Sequence, residues 1–316
     1  MNIVILDYLT LGQDLDLSGA ERFGNVTKYA VTKKEEAAER IKDAHIVIVN
    51  KVKMNEETLK DAKNLFLICE TATGYDNIDI EYCKKRGIAV ANTPAYSTSC
   101  VAQVTVSMAC SLMTHLNEYR NFVHSSGYQN SVSANMLEPV YHEMDGMTWG
   151  IIGYGNIGRA VGKIASAFGC HVIANKRTPV DDCECVDLDE LLKRADIISI
   201  HCPLTEKTRG MIGKAQLEMM KKNAIIINVA RGAVWNESDV ADAIIEKKIG
   251  GMGCDVFSYE PIDQNHPFVK ILGYDNVILT PHMAWGAFES RTRCFNTVLS
   301  NIDAYLNGRE QNLITK

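Results

Sequence analysis

One stretch constrains this chain more than any other: Thr148–Arg177, TWGIIGYGNIGRAVGKIASAFGCHVIANKR. It opens with an apolar run, Trp149–Ile152, too short and too glycine-punctuated for a helix, which reads as a buried parallel strand. Gly153, Gly155 and Gly158 then give the spacing G-x-G-x-x-G. Arg159–Phe168 follows with apolar residues at helical spacing and Gly169 as its stop. A second β-rich run, His171–Asn175, completes a strand–helix–strand unit of roughly 30 residues. Each glycine has a physical task in such a unit: Gly153 allows a tight turn, Gly155 lets a pyrophosphate approach the backbone, and Gly158 lets helix and strand pack closely. The helix N-terminus adds free N–H groups and a partial positive charge. The ligand this unit predicts is a dinucleotide.

At 316 residues the chain has room for two domains, each with its own core. Its 46% hydrophobic and 23% charged residues are those of an ordinary globular protein, and its net charge of −6 speaks against a nucleic-acid or membrane-surface role. No apolar run approaches the roughly 20 residues of a membrane span. The N-terminal MNIVILDYLTLG lacks a basic n-region and reads as a first strand. The 10 cysteines are scattered, with Cys183-Glu-Cys185 the one close pair and no zinc-type spacing. These features predict a cytoplasmic protein with reduced thiols and no metal site.

Ahead of the glycine fingerprint, strand-like runs at Asn2–Asp7, His45–Asn50, Leu65–Cys69 and Ile88–Ala91 alternate with helical runs at Lys33–Asp43, Asn55–Ala62 and Ile78–Arg86. Asn55 offers a helix cap and Gly87 a helix stop. The turns Lys51–Lys53 and Thr71–Gly74 fall at the carboxyl ends of strands, the edge where ligands sit in open parallel sheets. Thr73 and Gly74 read equally as an anion-binding turn and as a simple one. A long helix runs from Ser97 to about Leu116, and Asn117–Gly146 has no clear period, as expected of a segment packed against a partner or a domain edge. Beyond the fingerprint, Ile197–His201, Ala224–Val229, Gly250–Val256 and Val277–Thr280 read as strands; Leu188–Arg194, Lys214–Met220 and Glu237–Glu246 read as helices. Together they make a doubly wound sheet of about six strands. The final helix, Ala287–Asn307, is long enough to return to the first domain. The predicted architecture is α/β: two Rossmann-like or flavodoxin-like doubly wound parallel-sheet domains with a cleft between them. Residues 1–100 plus 286–316 form a discontinuous substrate domain and residues 101–285 the dinucleotide-binding domain.

Three polar residues follow strands of the second domain. Arg231, in NVARG, has a planar fork of donors suited to gripping a carboxylate bidentately. Glu260 lies a few residues beyond another strand, in DVFSYEP, and His282 beyond a third, in TPH. Each alone reads as readily as a surface charge, a loop carboxylate or a polar strand cap. Three at the edge where a dinucleotide lies read as a site. A carboxylate beside an imidazole favours its cationic form, which can hand over a proton, and a nicotinamide gives hydride. These parts suit reversible reduction of a 2-oxo acid to a 2-hydroxy acid, with His282 donating the proton to the forming alkoxide.

The stretches ATGYDNID (Ala72–Asp79), GIIGYGNIG (Gly150–Gly158), NVARG (Asn228–Gly232), CDVFSYEP (Cys254–Pro261) and LTPHMAW (Leu279–Trp285) resemble those of the D-isomer-specific 2-hydroxyacid dehydrogenase family over nearly the whole chain. The resemblance implies that Arg231 binds the substrate carboxylate and carbonyl, that Glu260 tunes His282, and that His282 is the general acid/base. It implies that the backbone at Val52, Thr73 and Gly74 meets the substrate carboxylate or lies beside it. Around the cofactor it implies Thr105, the run Gly153, Tyr154, Gly155, Asn156, Ile157 and Gly158, and also Cys202, Pro203, Thr208, Val229, Ala230, Asp255, Arg231 and His282. Trp285 after His-x-Ala is similar to the glycerate dehydrogenase (hydroxypyruvate/glyoxylate reductase) branch. The resemblance further implies a homodimer built on the cofactor domain.

One departure bears on the cofactor. An NAD-binding unit usually carries Asp or Glu about 20 residues beyond the glycines, bonding the ribose 2′-OH. Here the run is Asn175-Lys176-Arg177-Thr178, with no carboxylate before Asp181. A basic pair attracts a 2′-phosphate, so Lys176 and Arg177 shift the expected cofactor from NAD(H) toward NADP(H). Two other functions compete: reduction of larger 2-oxo acids, and a non-catalytic dinucleotide sensor like the corepressors that share this fold. Formate dehydrogenase resembles the chain less, its family lacking the Glu found at Glu260.

Overall fold

A computed structural model describes residues 1–315. The chain forms two compact units, Met1–Ser97 together with the segment from Gly286 onward, and Thr98–Trp285.

In the first unit the elements run β1 (Asn2–Ile5), β2 (Asn25–Lys28), α1 (Lys34–Ile41), β3 (Ile46–Val49), α2 (Glu56–Leu59), β4 (Leu67–Glu70), α3 (Ile80–Arg86) and β5 (Ala89–Ala91). All five strands are parallel, in the order β2-β1-β3-β4-β5, the flavodoxin-like winding. β3 and β4 are buried at every residue, so both faces are covered and the strands read as continuous apolar runs. Asn55 caps α2 by accepting from the Thr58 N–H at 3.2 Å, and α3 stops at Gly87 in the left-handed conformation (φ 69°), both as the sequence predicts.

The second unit begins with α4 (Thr98–Met113) and α5 (Leu116–His124). It continues with β6 (Thr148–Ile152), α6 (Asn156–Ala167), β7 (His171–Asn175), β8 (Glu184–Cys185), α7 (Leu188–Arg194) and β9 (Ile197–Ile200). α8 (Lys214–Met219), β10 (Ile225–Asn228), α9 (Glu237–Ile245), β11 (Gly251–Cys254) and β12 (Val277–Leu279) complete it. The chain then re-enters the first unit as α10 (Phe288–Leu306). The seven parallel strands are ordered β12-β11-β10-β9-β6-β7-β8, so the winding reverses between β6 and β9. That reversal is where an open α/β sheet binds its ligand. Trp149 on β6 is fully buried and donates its indole N–H to Ser199 Oγ on β9 at 2.9 Å, which satisfies the one polar atom that burial would otherwise strand.

Three expectations need correction. The sheet of the second unit has seven strands rather than about six, because β8 is a two-residue edge strand too short to pattern. β2, in the first unit, went unread because it is a mostly exposed edge strand without alternation. The long helix breaks at His115, which takes a left-handed φ of 52°, and the following segment opens with α5, bent 65° from α4. No residue of α5 is buried, although Leu116, Tyr119 and Val123 recur at helical spacing. Among the described residues, no single helix is long and apolar enough to cross a membrane.

Candidate active site

The glycine fingerprint folds as its spacing requires. Gly153 ends β6 with φ 94°, and a Cβ there would sit 2.5 Å from the Cys202 backbone nitrogen. A Cβ on Gly158 would lie 2.4 Å from the Gly153 carbonyl, so only glycine lets α6 start so close to the strand. At Gly155 the same test meets nothing within 4 Å. This glycine caps α6, leaving open space at a helix N-terminus that a pyrophosphate fits. Asn156 and Ile157 form the first turn of α6, and Tyr154 is nearly buried beneath the Arg159 guanidinium, 5.0 Å from its ring centroid. Arg159 also pairs with Asp182.

Other residues assigned to the cofactor lie in the loop after β9, within α4 and after β7. Cys202 and Pro203 follow β9. The Thr208 hydroxyl ties their loop by donating to the Pro203 carbonyl at 2.7 Å and accepting from the Thr205 N–H at 2.8 Å. Burial pushes the Cys202 thiol up to about 11 and holds the neighbouring His201 imidazole down to about 3, so both are neutral near pH 7. Thr105 is fully buried in α4, its hydroxyl spent on the Val101 carbonyl at 2.8 Å. Lys176 and Arg177 leave the end of β7 half-buried and exposed respectively.

Arg231, Glu260 and His282 follow β10, β11 and β12, three adjacent strands of one sheet. Asn228 shapes the first of these turns: its side chain accepts from the Ala230 N–H at 3.0 Å and donates to the Arg231 carbonyl at 3.0 Å, while Val229 and Ala230 lie between. The Arg231 guanidinium donates to the Ala230 carbonyl at 2.8 Å. Glu260 is divided between two tasks. One oxygen accepts from the Phe257 N–H at 2.9 Å, and the other meets His282 Nδ1 at 2.6 Å. Their side chains are 29% and 25% exposed, sheltered yet reachable. A carboxylate at Nδ1 holds the proton there and leaves Nε2 as the reactive nitrogen.

Asp255 builds the loop that carries His282. Nearly buried, it accepts from the Thr280 hydroxyl at 2.6 Å and from the Met283 and Ala284 N–H groups at 2.8 and 2.9 Å. Burial raises its carboxyl above the usual range, while these three donors pull it back toward the ionised form. His282 itself is held in the left-handed region at φ 54°, its N–H donated to the Asp255 and Thr280 carbonyls. Non-glycine residues in that region concentrate at functional sites, where the surroundings over-determine them.

Val52, Thr73 and Gly74 belong to the first unit and follow the neighbouring strands β3 and β4. Val52 is buried, and its carbonyl accepts from the Asn77 amide at 3.2 Å. Thr73 is exposed; its hydroxyl donates to the Thr93 carbonyl at 2.9 Å and its own carbonyl accepts from the Asn92 amide at 2.8 Å. Sequence reading gave no role to Asn228, although an Asn ending a buried strand is a turn-forming signal. Nor did it find Glu237, which holds Ser258 of the Phe257–Glu260 loop from 21 residues away.

Comparison with known proteins identifies the family. Residues 106–284 match the D-isomer specific 2-hydroxyacid dehydrogenase NAD binding domain. The chain is 37% identical to a hydroxypyruvate reductase from Blautia hydrogenotrophica over 100% of both chains. It is 35% identical to a glycerate dehydrogenase from Methylorubrum extorquens over 89% of this chain and 88% of that one. A D-lactate dehydrogenase from Aquifex aeolicus, solved with NAD and lactic acid, superposes with a TM-score of 0.88 at 28% identity, over 100% of this chain and 99% of that one. With a fingerprint that fits a nicotinamide dinucleotide and three polar residues at adjacent strand ends, the chain belongs to the D-isomer specific 2-hydroxyacid dehydrogenase family of oxidoreductases.

Proposed function

We propose that this enzyme reduces a small 2-oxo acid, hydroxypyruvate or glyoxylate, to the D-2-hydroxy acid at the expense of NADPH. The observation that carries the reading is the 2.6 Å contact between Glu260 and His282 Nδ1, with Arg231 two strands away in the same sheet. The dinucleotide, held at Gly153–Gly158, supplies hydride to the carbonyl carbon. Arg231 grips the substrate carboxylate and polarises the carbonyl. Glu260 orients the imidazole, and His282 delivers the Nε2 proton to the carbonyl oxygen as it takes up charge. Val52, Thr73 and Gly74 are assigned to substrate binding through their backbone, and Thr105, Cys202, Pro203, Thr208, Val229, Ala230 and Asp255 to the cofactor's surroundings. Relatives named for hydroxypyruvate and for glyoxylate favour the small substrates, as does Trp285 following His-x-Ala.

The preference for NADPH rests on Lys176 and Arg177 at the end of β7, in a run, Asn175 to Val180, that carries no carboxylate to repel a 2′-phosphate. A homodimer is supported by apolar side chains left outside in the segment beginning with α5: Leu116, Val132, Leu137 and Val140 are 56%, 107%, 76% and 66% exposed. Ten free cysteines fit a reducing, cytoplasmic setting, and the net charge of −6 fits the absence of nucleic-acid and membrane partners.

The test is a matrix of initial rates, NADPH and NADH each against hydroxypyruvate, glyoxylate, pyruvate and phenylpyruvate. Fastest turnover of hydroxypyruvate or glyoxylate with NADPH is the expected result. Preference for NADH would reduce Lys176 and Arg177 to surface charge, and preference for phenylpyruvate would move the enzyme to larger substrates. Dinucleotide binding without turnover of any acid would overturn the reading in favour of a sensor.

A further inference from the structure

The loop Phe257–Glu260 carries the carboxylate that meets His282, and it is tied down by a buried group outside the site described above. Glu237, the first residue of α9, has a side chain only 7% exposed. One of its oxygens accepts from the Ser258 N–H at 2.8 Å. The other accepts from the Ser258 hydroxyl at 2.5 Å and lies 3.0 Å from His266 Nε2. His266 is fully enclosed, and its Nδ1 accepts from the Phe268 N–H at 3.2 Å, so the proton sits on Nε2 and is donated to Glu237. The rings of Phe257, Tyr259 and Phe268 surround that imidazole at 5.6, 5.2 and 5.1 Å. On the other side the loop presses on Gly232, where a Cβ would come within 2.0 Å of the Phe257 carbonyl carbon. The loop that holds Glu260 thus also packs against the residue following Arg231.

Burying a carboxylate costs several kcal/mol unless its lone pairs are satisfied, and an apolar side chain would fill the same volume at less cost. Here three donors converge on Glu237, two of them from one residue of the Glu260 loop. We infer that Glu237, with Ser258 and His266, is a positioning residue for the acid–base pair: it fixes the Phe257–Glu260 loop and so sets the Glu260–His282 contact. The inference rests on the roles proposed for Glu260 and His282.

Glu237→Gln keeps the shape but turns an amide N–H₂ toward donors that need an acceptor. The expected result is a fall in kcat of about tenfold with the dinucleotide Kd, read by quenching of NADPH fluorescence, changed less than about twofold. The discriminating measurement is a double-mutant cycle. If Glu237 acts through Glu260, Glu237→Gln/Glu260→Gln loses no more than about twofold beyond Glu260→Gln alone; losses that multiply would overturn the inference. Ser258→Ala removes one tie at less risk to folding, and its kcat should fall about threefold, again without adding to Glu260→Gln. Wild-type kcat in both Glu237→Gln and Ser258→Ala overturns the inference. His282→Ala, run alongside, separates the layers: full turnover there removes the acid–base reading itself. Lost turnover there beside normal Glu237→Gln and Ser258→Ala removes only the positioning role.

Discussion

Asp7 and Glu70, at the carboxyl edge of the first unit's sheet, are 6% and 0% exposed, whereas the side chain of Glu260, at the same edge of the second unit's sheet, is 29% exposed. The buried pair is spent on loops of its own unit. Asp7 accepts from the Asn50 and Lys51 N–H groups at 3.0 and 2.6 Å; Glu70 accepts from the Asn77 amide at 3.0 Å, which also donates to the Val52 carbonyl. Burial pushes Asp7 up and Glu70 well above the usual carboxylate range. Glu260 spends one oxygen on its own loop and presents the other to an imidazole. Both sheets are parallel, though their strand orders differ, and both place acids at the carboxyl edge. What separates a group that organises loops from one suited to chemistry is the partner it faces and the water it keeps. Glu237 shows the first behaviour inside the second unit, so the distinction belongs to local surroundings rather than to either unit.

That contrast can be broken most sharply at His282. If the strand-end cluster of the second unit performs the chemistry, His282→Ala should cut kcat at least about a hundredfold, roughly 2.7 kcal/mol of barrier. Unchanged steady-state turnover would erase the difference between the two edges. Arg231→Ala should lower kcat/KM by a comparable factor, raising KM and lowering kcat together, because the role proposed for the guanidinium spans both carboxylate and carbonyl. If both constants stayed put, the carboxylate would have to be held elsewhere. Glu260→Gln removes the charge 2.6 Å from Nδ1. Reduction should slow about tenfold, read as kcat at saturating substrate; an unchanged kcat would show that the contact does not serve turnover.

The smallest expected effect concerns Glu70 and is read in stability. A carboxyl whose folded-state value lies above its unfolded one stabilises the fold while both states are protonated, and loses that contribution as pH rises through the folded-state value. Wild-type stability should therefore decline above about pH 4.5, and Glu70→Gln, which mimics the protonated acid, should flatten that decline by up to about 1.4 kcal/mol per pH unit. Urea denaturation at pH 5, 6.5 and 8 compares the two slopes; parallel slopes would show that Glu70 ionises freely in the folded protein.

Much of this molecule could be read along the chain because it is dictated over short distances. The Gly153–Gly158 spacing, the buried runs of β9 and β10, the Asn55 cap and the Gly87 stop each rest on a turn, a strand period or a cap within a few residues. The patterns are local, even though Gly153 is also held to glycine by the distant Cys202 backbone. The runs holding Arg231, Glu260 and His282 were legible for a related reason: each follows a recognisable strand, and parallel winding brings all such ends to one edge. Tertiary structure alone decided what lacks an apolar pattern or joins distant residues. The edge strands β2 and β8 exist only because a neighbour completes their ladder, and α5 is set off from α4 by a left-handed turn at the non-glycine His115. Glu237 meets Ser258 and His266 across 21 and 29 residues, a convergence that no local preference encodes. The 2.6 Å approach of Glu260 to His282 was a matter of two loops closing on each other, fixed by burial and hydrogen bonds that exist only once the sheet has formed.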